Sequence, residues 1–305
     1  MVSMENREIS ICFIFNPSAN RKRAEQELHW LQDQTKSRWN DVHIHYVSPA
    51  DDIRILTEEL AGRFDVIVAC GGDGTISRVL NGAVGTDVTV GLLPIGSGND
   101  FAKAIHLPGD LDKCLQIIKE GTSKEIDLLK VSGDTDTWCC NTLGFGFDGW
   151  ANYHSARIQK LKGGIVYVIG ALKAAFTFGG MRLMLKTDQE TLEGDFLMVT
   201  ACNGPVEGGN FKVVPHAIND DGWMDVLLIE KMTLIRLLWL LPRVPFGVKE
   251  KWHGVRFLRC RELNIKSDIP VAVHCDGELL GTKIKNLNVK LHQKAVKVYS
   301  GHMKM

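Results

Sequence analysis

Short apolar runs recur through the first 125 or so positions. Each is followed by a polar turn and then by a segment with helical spacing. "ISICFIFNPSAN" reads as a buried strand ending in a turn. "RKRAEQELHWLQDQ" then places Ala24, Leu28 and Leu31 on one helical face. "DVHIHYVS" alternates as a strand does, and "ADDIRILTEELAGR" reads as a helix with acidic residues near its start and Gly62 near its end. "FDVIVAC", "TISRVLNGAVG", "VTVGLLPIG", "NDFAKAIHL" and "LDKCLQIIKEG" continue the alternation, with a break at Pro108 and a glycine cap signal at Gly121. A β-α-β-α rhythm of this kind predicts a parallel sheet with helices on both faces.

Beyond about residue 125 the rhythm changes. "EIDLLKVS", "DTWCCNTLGFG", "MRLMLKTD", "TLEGDFLMVTACNG", "WMDVLLIEK", "GVRFLRCRELNIKS", "PVAVHCDGE" and "KNLNVKLHQKAVKVYS" are strand-like with turn residues between them. They predict an antiparallel β-domain interrupted by helices near 149–178 and 233–241. The expected division is an α/β domain over 1–125 and a second domain over 126–305. No internal repeat, low-complexity tract or long linker stands between them.

A chain of 305 residues is longer than one core usually organises, which agrees with two domains. Its 45% hydrophobic and 24% charged residues are ordinary for a globular protein. Lys plus Arg and Asp plus Glu balance at 36 each, which argues against bulk electrostatic binding of nucleic acid. The eight cysteines form no CxxC pair and no ligand spacing with histidine, so buried reduced thiols in a cytosolic protein are expected. "MVSMENREIS" has acidic residues and no apolar core, unlike a secretory signal. "GGIVYVIGALKAAFTFGG" (163–180) contains Lys173, and "LIRLLWLLPRV" (234–244) is short and carries Arg236, Pro242 and Arg243. Spanning a bilayer takes about 20 apolar residues, so both read as helices that are buried or lie on a surface.

The chemistry concentrates where strands give way to helices. "CGGDGTISRVLNG" (70–82) follows the run "FDVIVA". Gly71, Gly72 and Gly74 let bare backbone approach a ligand, and a helix opening near Thr75 offers amides to an anion. Asp73 beside such a phosphate seat calls for a cation between them, so it reads as a magnesium-side residue. "NPSAN" (16–20), followed by Arg21, Lys22 and Arg23, and "LPIGSGNDFA" (93–102) repeat the arrangement at two further strand ends. No GxxxxGK[ST] loop is present, so the nucleotide site is of another design. Two other stretches carry less. "GFGFDG" (144–149) matches GxGxxG but lies after the parallel part of the chain and reads as a structural turn. His274 beside Cys275 and Asp276 suggests a metal trio or a thiol catalyst, yet nothing nearby in sequence supplies a second ligand set.

"GGDGT" followed some twenty residues later by "GSGND" resembles the diacylglycerol kinase catalytic-domain family, closest to its soluble bacterial lipid kinases and similar to sphingosine, ceramide and, more distantly, NAD kinases. "NPSAN" resembles the family's NPxxG element with Asn20 in place of glycine. "NTLGFGFDG" is similar to the opening of the second domain, "INDDGWMDV" (218–226) to its DG-x-x-D turn, and "HCDGE" (274–278) to its late acidic motif. The resemblance implies a nucleotide-binding α/β domain followed by a β-sandwich domain, with the C-terminal segment packing back on the first and the active site between the two. It implies transfer of the γ-phosphate of ATP, with Mg2+, to a lipid hydroxyl, diacylglycerol first. Phosphatidylglycerol, a sphingoid base, a small nucleotide acceptor and a non-catalytic lipid- or nucleotide-binding regulator are the alternatives. ATP contacts are implied for Asn16, Pro17, Ser18, Asn20, the loop of Gly71, Gly72, Asp73, Gly74, Thr75 and Ser77, and for Ser97 and Asn99, with Ser48 matching by position alone. Asp73 and Asp100 are implied in a magnesium-linked network. Asp276 or Glu278 would accept the hydroxyl proton, Asp276 being the first choice. A structural magnesium is implied on Asp221 and the carbonyls of Ile218 and Trp223. The expected partners are ATP and a lipid at a membrane surface, with no nucleic acid and with a homodimer left open. The expected location is cytoplasmic and peripheral at the membrane, where Lys160, Lys162, Arg182, Arg236 and Arg243 would meet anionic headgroups.

Overall fold

The computed structural model describes residues 9–20, 23–158, 164–209 and 211–301. Arg21, Lys22, Lys160, Lys162 and the side chain of Asn20 lie outside the described residues. The chain divides into two compact units, one up to Ile126 joined by the residues from Ala295 onward, the other from Asp127 to Lys294.

The first unit is built on four parallel strands, β1 (Ile11–Phe15), β2 (Val42–Tyr46), β3 (Val66–Gly71) and β4 (Thr89–Pro94), in the order β4-β3-β1-β2. β1, β3 and β4 are buried along their whole length, which is why they read as unbroken apolar runs. Helices α1 (Ala24–Lys36), α2 (Ile53–Ala61), α3 (Asp73–Ala83), α4 (Asp100–Ala104) and α5 (Leu111–Glu120) connect them. Asp52 and Asp110 cap α2 and α5 by accepting backbone N–H bonds, and Gly121 closes α5 in a left-handed turn. Phe13, Phe15, Leu31, Val68, Leu93 and Leu115 share one core. The expected helix over 99–107 stops at Ala104. His106 adopts a left-handed φ of 59° while Leu107 N–H donates to Ala102 and His106 N–H to Lys103. This is a Schellman closure made without glycine.

The second unit is antiparallel. β5 (Ser123–Gly133) enters it, followed by β6 (Thr137–Cys139), β7 (Thr142–Gly146), helices α6 (Phe147–Ala156) and α7 (Gly164–Thr177), and β8 (Met181–Thr187). β9 (Thr191–Cys202), β10 (Met224–Glu230), α8 (Leu234–Leu240), β11 (Val255–Cys260), β12 (Glu262–Cys275) and β13 (Glu278–Tyr299) complete it. The strand order is β11-β10-β9-β7-β12-β13, with β8 pairing both β9 and β12 and β5 pairing β6 and β13. "GVRFLRCRELNIKS" is two strands rather than one, and the second continues through "PVAVHC" as β12. One side of the sheet closes on a core of Phe145, Leu183, Val199, Val226, Val273 and Leu287. The other side packs against the helices through Phe147, Ala174, Leu197, Met198, Leu227 and Leu237. The last stretch of β13 belongs to the first unit, where Lys297 and Val298 pair in parallel with Thr89 and Val90 of β4.

Candidate active site

In the first unit the three predicted loops meet at the carboxyl ends of β1, β3 and β4, the edge where open α/β sheets bind ligands. Asn16 Nδ2 donates to Thr75 Oγ1 at 2.9 Å, and Asn16 N–H to Cys70 O at 2.9 Å, tying the first loop to the second. Gly71 is obligatory there, because a Cβ would lie 2.4 Å from Thr75 Oγ1. The second and third loops touch backbone to backbone: a Cβ on Gly96 would approach Gly72 Cα to 2.5 Å. Asp73 completes the knot. Its carboxylate accepts the N–H groups of Asn99 at 2.8 Å and Asp100 at 2.7 Å, so it caps α4, its neighbour across the loop. Gly98 leaves room for this, since its Cβ would sit 2.5 Å from Asp73 Oδ2.

The remaining predicted residues divide. Gly74 opens α3, Ser77 is buried within it, and Ser97 is exposed at the tip of the third loop. Asn99, at a left-handed φ of 54°, turns its amide onto Pro94 O and Gly96 O and so shapes its own loop. Ser18 N–H donates to Asn16 Oδ1. Pro17 and Ser18 line an open groove with Arg23, Tyr46 and Pro49. Ser48 lies beyond β2 in a turn closed by Asp51, whose carboxylate accepts Ser48 N–H at 2.7 Å.

In the second unit "CDGE" forms the two-residue hairpin turn between β12 and β13. Asp276 and Gly277 take φ of 50° and 81°, the type I′ pattern, and Cys275 pairs with Glu278. Asp276 is buried. Its carboxylate accepts backbone N–H bonds from Cys140 at 3.0 Å, Asn141 at 2.8 Å and Thr142 at 3.1 Å, and thiol contacts from Cys139 and Cys140. It anchors the start of β7. Glu278 is exposed on the same turn.

A partly open cavity of about 120 Å3 lies in this unit, lined almost wholly by apolar side chains from α6, α7, α8 and the sheet, Tyr167, Ala171, Met198, Leu237 and Trp252 among them. Its polar wall is Asp148, Asn152 and Glu207. Asn152 Nδ2 donates to Gly277 O at 2.6 Å, which ties the cavity wall to the residue preceding Glu278. Behind Asp148 and Glu207 lies His274, fully buried, with Nε2 3.2 Å from Asp148 Oδ2 and 2.9 Å from Glu207 Oε1. Burial alone would lower the imidazole pKa, but the charges of Glu207 and Asp148 push it well above its usual value. Burial would likewise raise Asp148, yet His274 and the Thr200 hydroxyl hold it below the ordinary carboxylate range. "GFGFDG" makes this packing possible. A Cβ on Gly144 would lie 2.2 Å from His274 Nε2, and one on Gly149 would lie 2.1 Å from Ala272 O. Sequence reasoning set Asp148 and His274 aside and did not reach Glu207. The partners that give His274 meaning stand 126 and 67 positions earlier in the chain.

Of the expected set of Ile218, Asp221 and Trp223, the side chain that would meet an ion is Asp221. Asp221 accepts Trp223 N–H at 3.0 Å and is ion-paired with Arg259, whose Nε also lies 3.3 Å from the buried Asp225. Burial raises the Asp225 carboxyl against the pull of Arg259. The turn itself is pinned by the buried Asp127, which accepts Gly222 N–H at 2.8 Å and Lys294 N–H at 2.9 Å.

Glycine-rich loops at the strand ends of an α/β unit, followed by a β-unit with an acid-walled apolar cavity, agree with the kinase class that the sequence suggested. The chain belongs to the diacylglycerol kinase catalytic-domain family: that domain matches residues 10–131, and the YegS C-terminal NAD kinase beta sandwich-like domain matches 141–299. A protein named probable lipid kinase YegS-like from Stenotrophomonas maltophilia is 29% identical over 263 residues, 82% of each chain. A diacylglycerol kinase from Staphylococcus aureus is 25% identical over 284 residues, 92% of this chain and 89% of its own. The crystal structure of a diacylglycerol kinase from Bacillus anthracis shares the fold, with a TM-score of 0.75, 19% identity and coverage of 97% of this chain and 98% of that one.

Proposed function

We propose that this chain is an ATP-dependent lipid kinase that converts diacylglycerol to phosphatidic acid. The observation that carries the reading is the apolar cavity whose polar wall, through Asn152, holds the turn bearing Glu278. An acyl chain needs such a cavity, and its hydroxyl needs a base at the cavity's polar end. The names of the Staphylococcus and Stenotrophomonas relatives point to the same chemistry.

In this reading the backbone of 71–75, with Asn16 and Ser97, seats the phosphates of ATP, and Pro17 and Ser18 border the groove beside them. Magnesium comes as the counter-ion of ATP and neutralises charge on the transferred group. Asp73 and Asp100 are the carboxylates that would face it through water. The acceptor oxygen attacks the γ-phosphorus, the bond to the bridging oxygen breaks, and ADP leaves with that electron pair. An alcohol is too weak an acid to ionise first, so its proton passes late to a carboxylate. We assign that carboxylate to Glu278. Asp276 is the poorer choice because its oxygens are committed to the 140–142 amides. Asp276 then acts by positioning the turn.

The lipid would be met at a bilayer surface. No helix among the described residues is long and apolar enough to cross a membrane. Yet α7 exposes Phe176, and the α8 region exposes Ile235, Trp239 and Phe246, with Arg243 stacked on Trp239 at 3.7 Å. Apolar side chains interleaved with arginine suit an anionic interface, which supports the reading of a protein that works peripherally at a membrane. Purified protein given γ-labelled ATP, magnesium and diacylglycerol in mixed micelles should yield labelled phosphatidic acid. Absence of label in any lipid would overturn the assignment.

A further inference from the structure

Within the second unit two carboxylates and one imidazole converge on the polar end of the cavity. Asp148 comes from α6, Glu207 from the segment after β9, and His274 from β12. Asp148 and Glu207 line the cavity, whereas His274 sits wholly behind them. The imidazole supplies at most one positive charge against two negative ones, so the cavity end is negative in every protonation state that keeps both acids ionised. Among the described residues lining the cavity none is cationic. Low polarity around the cluster leaves that charge poorly screened. Carboxylate oxygens accept hydrogen bonds and donate none. Such a wall welcomes a head that offers O–H or N–H groups, and it repels one that brings a phosphate.

We propose that the Asp148–Glu207–His274 cluster selects the acceptor, admitting lipids with an uncharged hydroxyl head and rejecting anionic phospholipids. Asp148 and Glu207 act on the head directly. His274 is a positioning residue: it holds the two acids within 3.2 Å of one nitrogen, and the absence of a side chain at Gly144 is what lets them meet there. The cluster also stands close in sequence and space to the proposed base, since His274 pairs with Leu279 across the hairpin and Asn152 binds Gly277. The selecting acids are therefore tied through Asn152 and the hairpin to the turn that carries the proposed base. The inference rests on the lipid-kinase reading and goes past it, because the family resemblance leaves charged and uncharged acceptors open.

The test compares kcat/KM for diacylglycerol and for phosphatidylglycerol, presented at equal mole fraction in micelles that carry a large constant excess of an anionic detergent, so that surface charge is matched. The wild-type ratio should favour diacylglycerol by at least about tenfold, a difference of ~1.4 kcal/mol in transition-state binding. Glu207→Gln keeps the size and removes a charge. It should lower that ratio several-fold, chiefly through KM for the anionic lipid, while the protein stays folded at the assay temperature. Asp148→Asn is the second variant should Glu207→Gln melt early. Equal use of both lipids by the wild type, or a ratio unmoved in both variants, would overturn the selection while leaving a lipid kinase. Transfer to neither lipid would overturn the lipid-kinase reading itself.

Discussion

The rim of the first unit and the cavity of the second are built from different materials. At the rim, glycines and backbone amides do the work, and side chains such as Asn16, Asp73 and Asn99 bind other loops into shape. Each part lies within ten residues of a strand end. In the cavity, side chains do the work, and they come from α6, the segment after β9 and β12. A phosphate is the same in every substrate, and bare amides at a helix start suffice to hold it. An acceptor differs between enzymes, and distinguishing acceptors takes side chains placed by long-range register. The hairpin at 275–278 combines both: Asp276 is held by backbone amides, and Glu278 stands exposed on the same turn as the base proposed above.

The sharpest break of that division is Glu278→Gln. Loss of a general base costs about 10²–10⁴-fold in kcat, so turnover should fall by that order while the melting temperature stays near the wild-type value. A small loss of activity would return the base to Asp276. Next is Gly96→Ala at the rim. Its Cβ meets Gly72 Cα, so ATP affinity, read by calorimetry, should weaken by at least about tenfold, ~1.4 kcal/mol. Undiminished affinity would mean that the rim is not where phosphate binds. Asp276→Asn should act in the opposite way to Glu278→Gln. Its amide oxygen can still accept the Asn141 and Thr142 N–H groups, but its NH2 then faces the Cys140 N–H, at a cost of about 2 kcal/mol, seen as an early thermal transition.

Two smaller effects follow. Wild-type melting should shift by less than about 1 °C between EDTA and millimolar magnesium, because Arg259 already neutralises Asp221. Arg259→Met should lose about 1 kcal/mol, a modest figure because the guanidinium is half exposed, and should regain part of it with magnesium. A clear magnesium shift in the wild type would restore the structural cation. Smallest is the pH dependence of the cavity cluster. His274 has a native pKa above its usual 6.5, so its stabilisation is whole below that value and fades as pH rises through the native one. Asp148, lowered from 3.8, contributes above that value and fades as pH falls through its native pKa. Melting profiles of wild type and Glu207→Gln should therefore converge at high pH.

Much of the first unit was legible in the chain because its signals are local. Buried parallel strands are continuous apolar runs, and the loops that end them carry their glycines in place. "GGDGT" and "GSGND" announce themselves within five residues each. What could not be read was the direction of Asp73, whose carboxylate goes to a loop 26 residues away. In the second unit the strands and the two helical interruptions were legible from alternation and turn residues. The break at Arg261 that separates β11 from β12 was not, because both strands carry the same pattern.

By itself, then, the sequence determined the order of elements, the position of the glycine-rich loops and the hairpin that carries the acids. Those are properties of neighbouring residues: periodicity, backbone permissiveness and turn preference. Only the tertiary structure decided which acid of "CDGE" is committed to amides, that Arg259 stands against Asp221, and that Asp148, Glu207 and His274 share a wall. Charge and hydrogen bonding act through space at about 3 Å, and a distance of that kind is set by sheet register and helix packing across tens of residues.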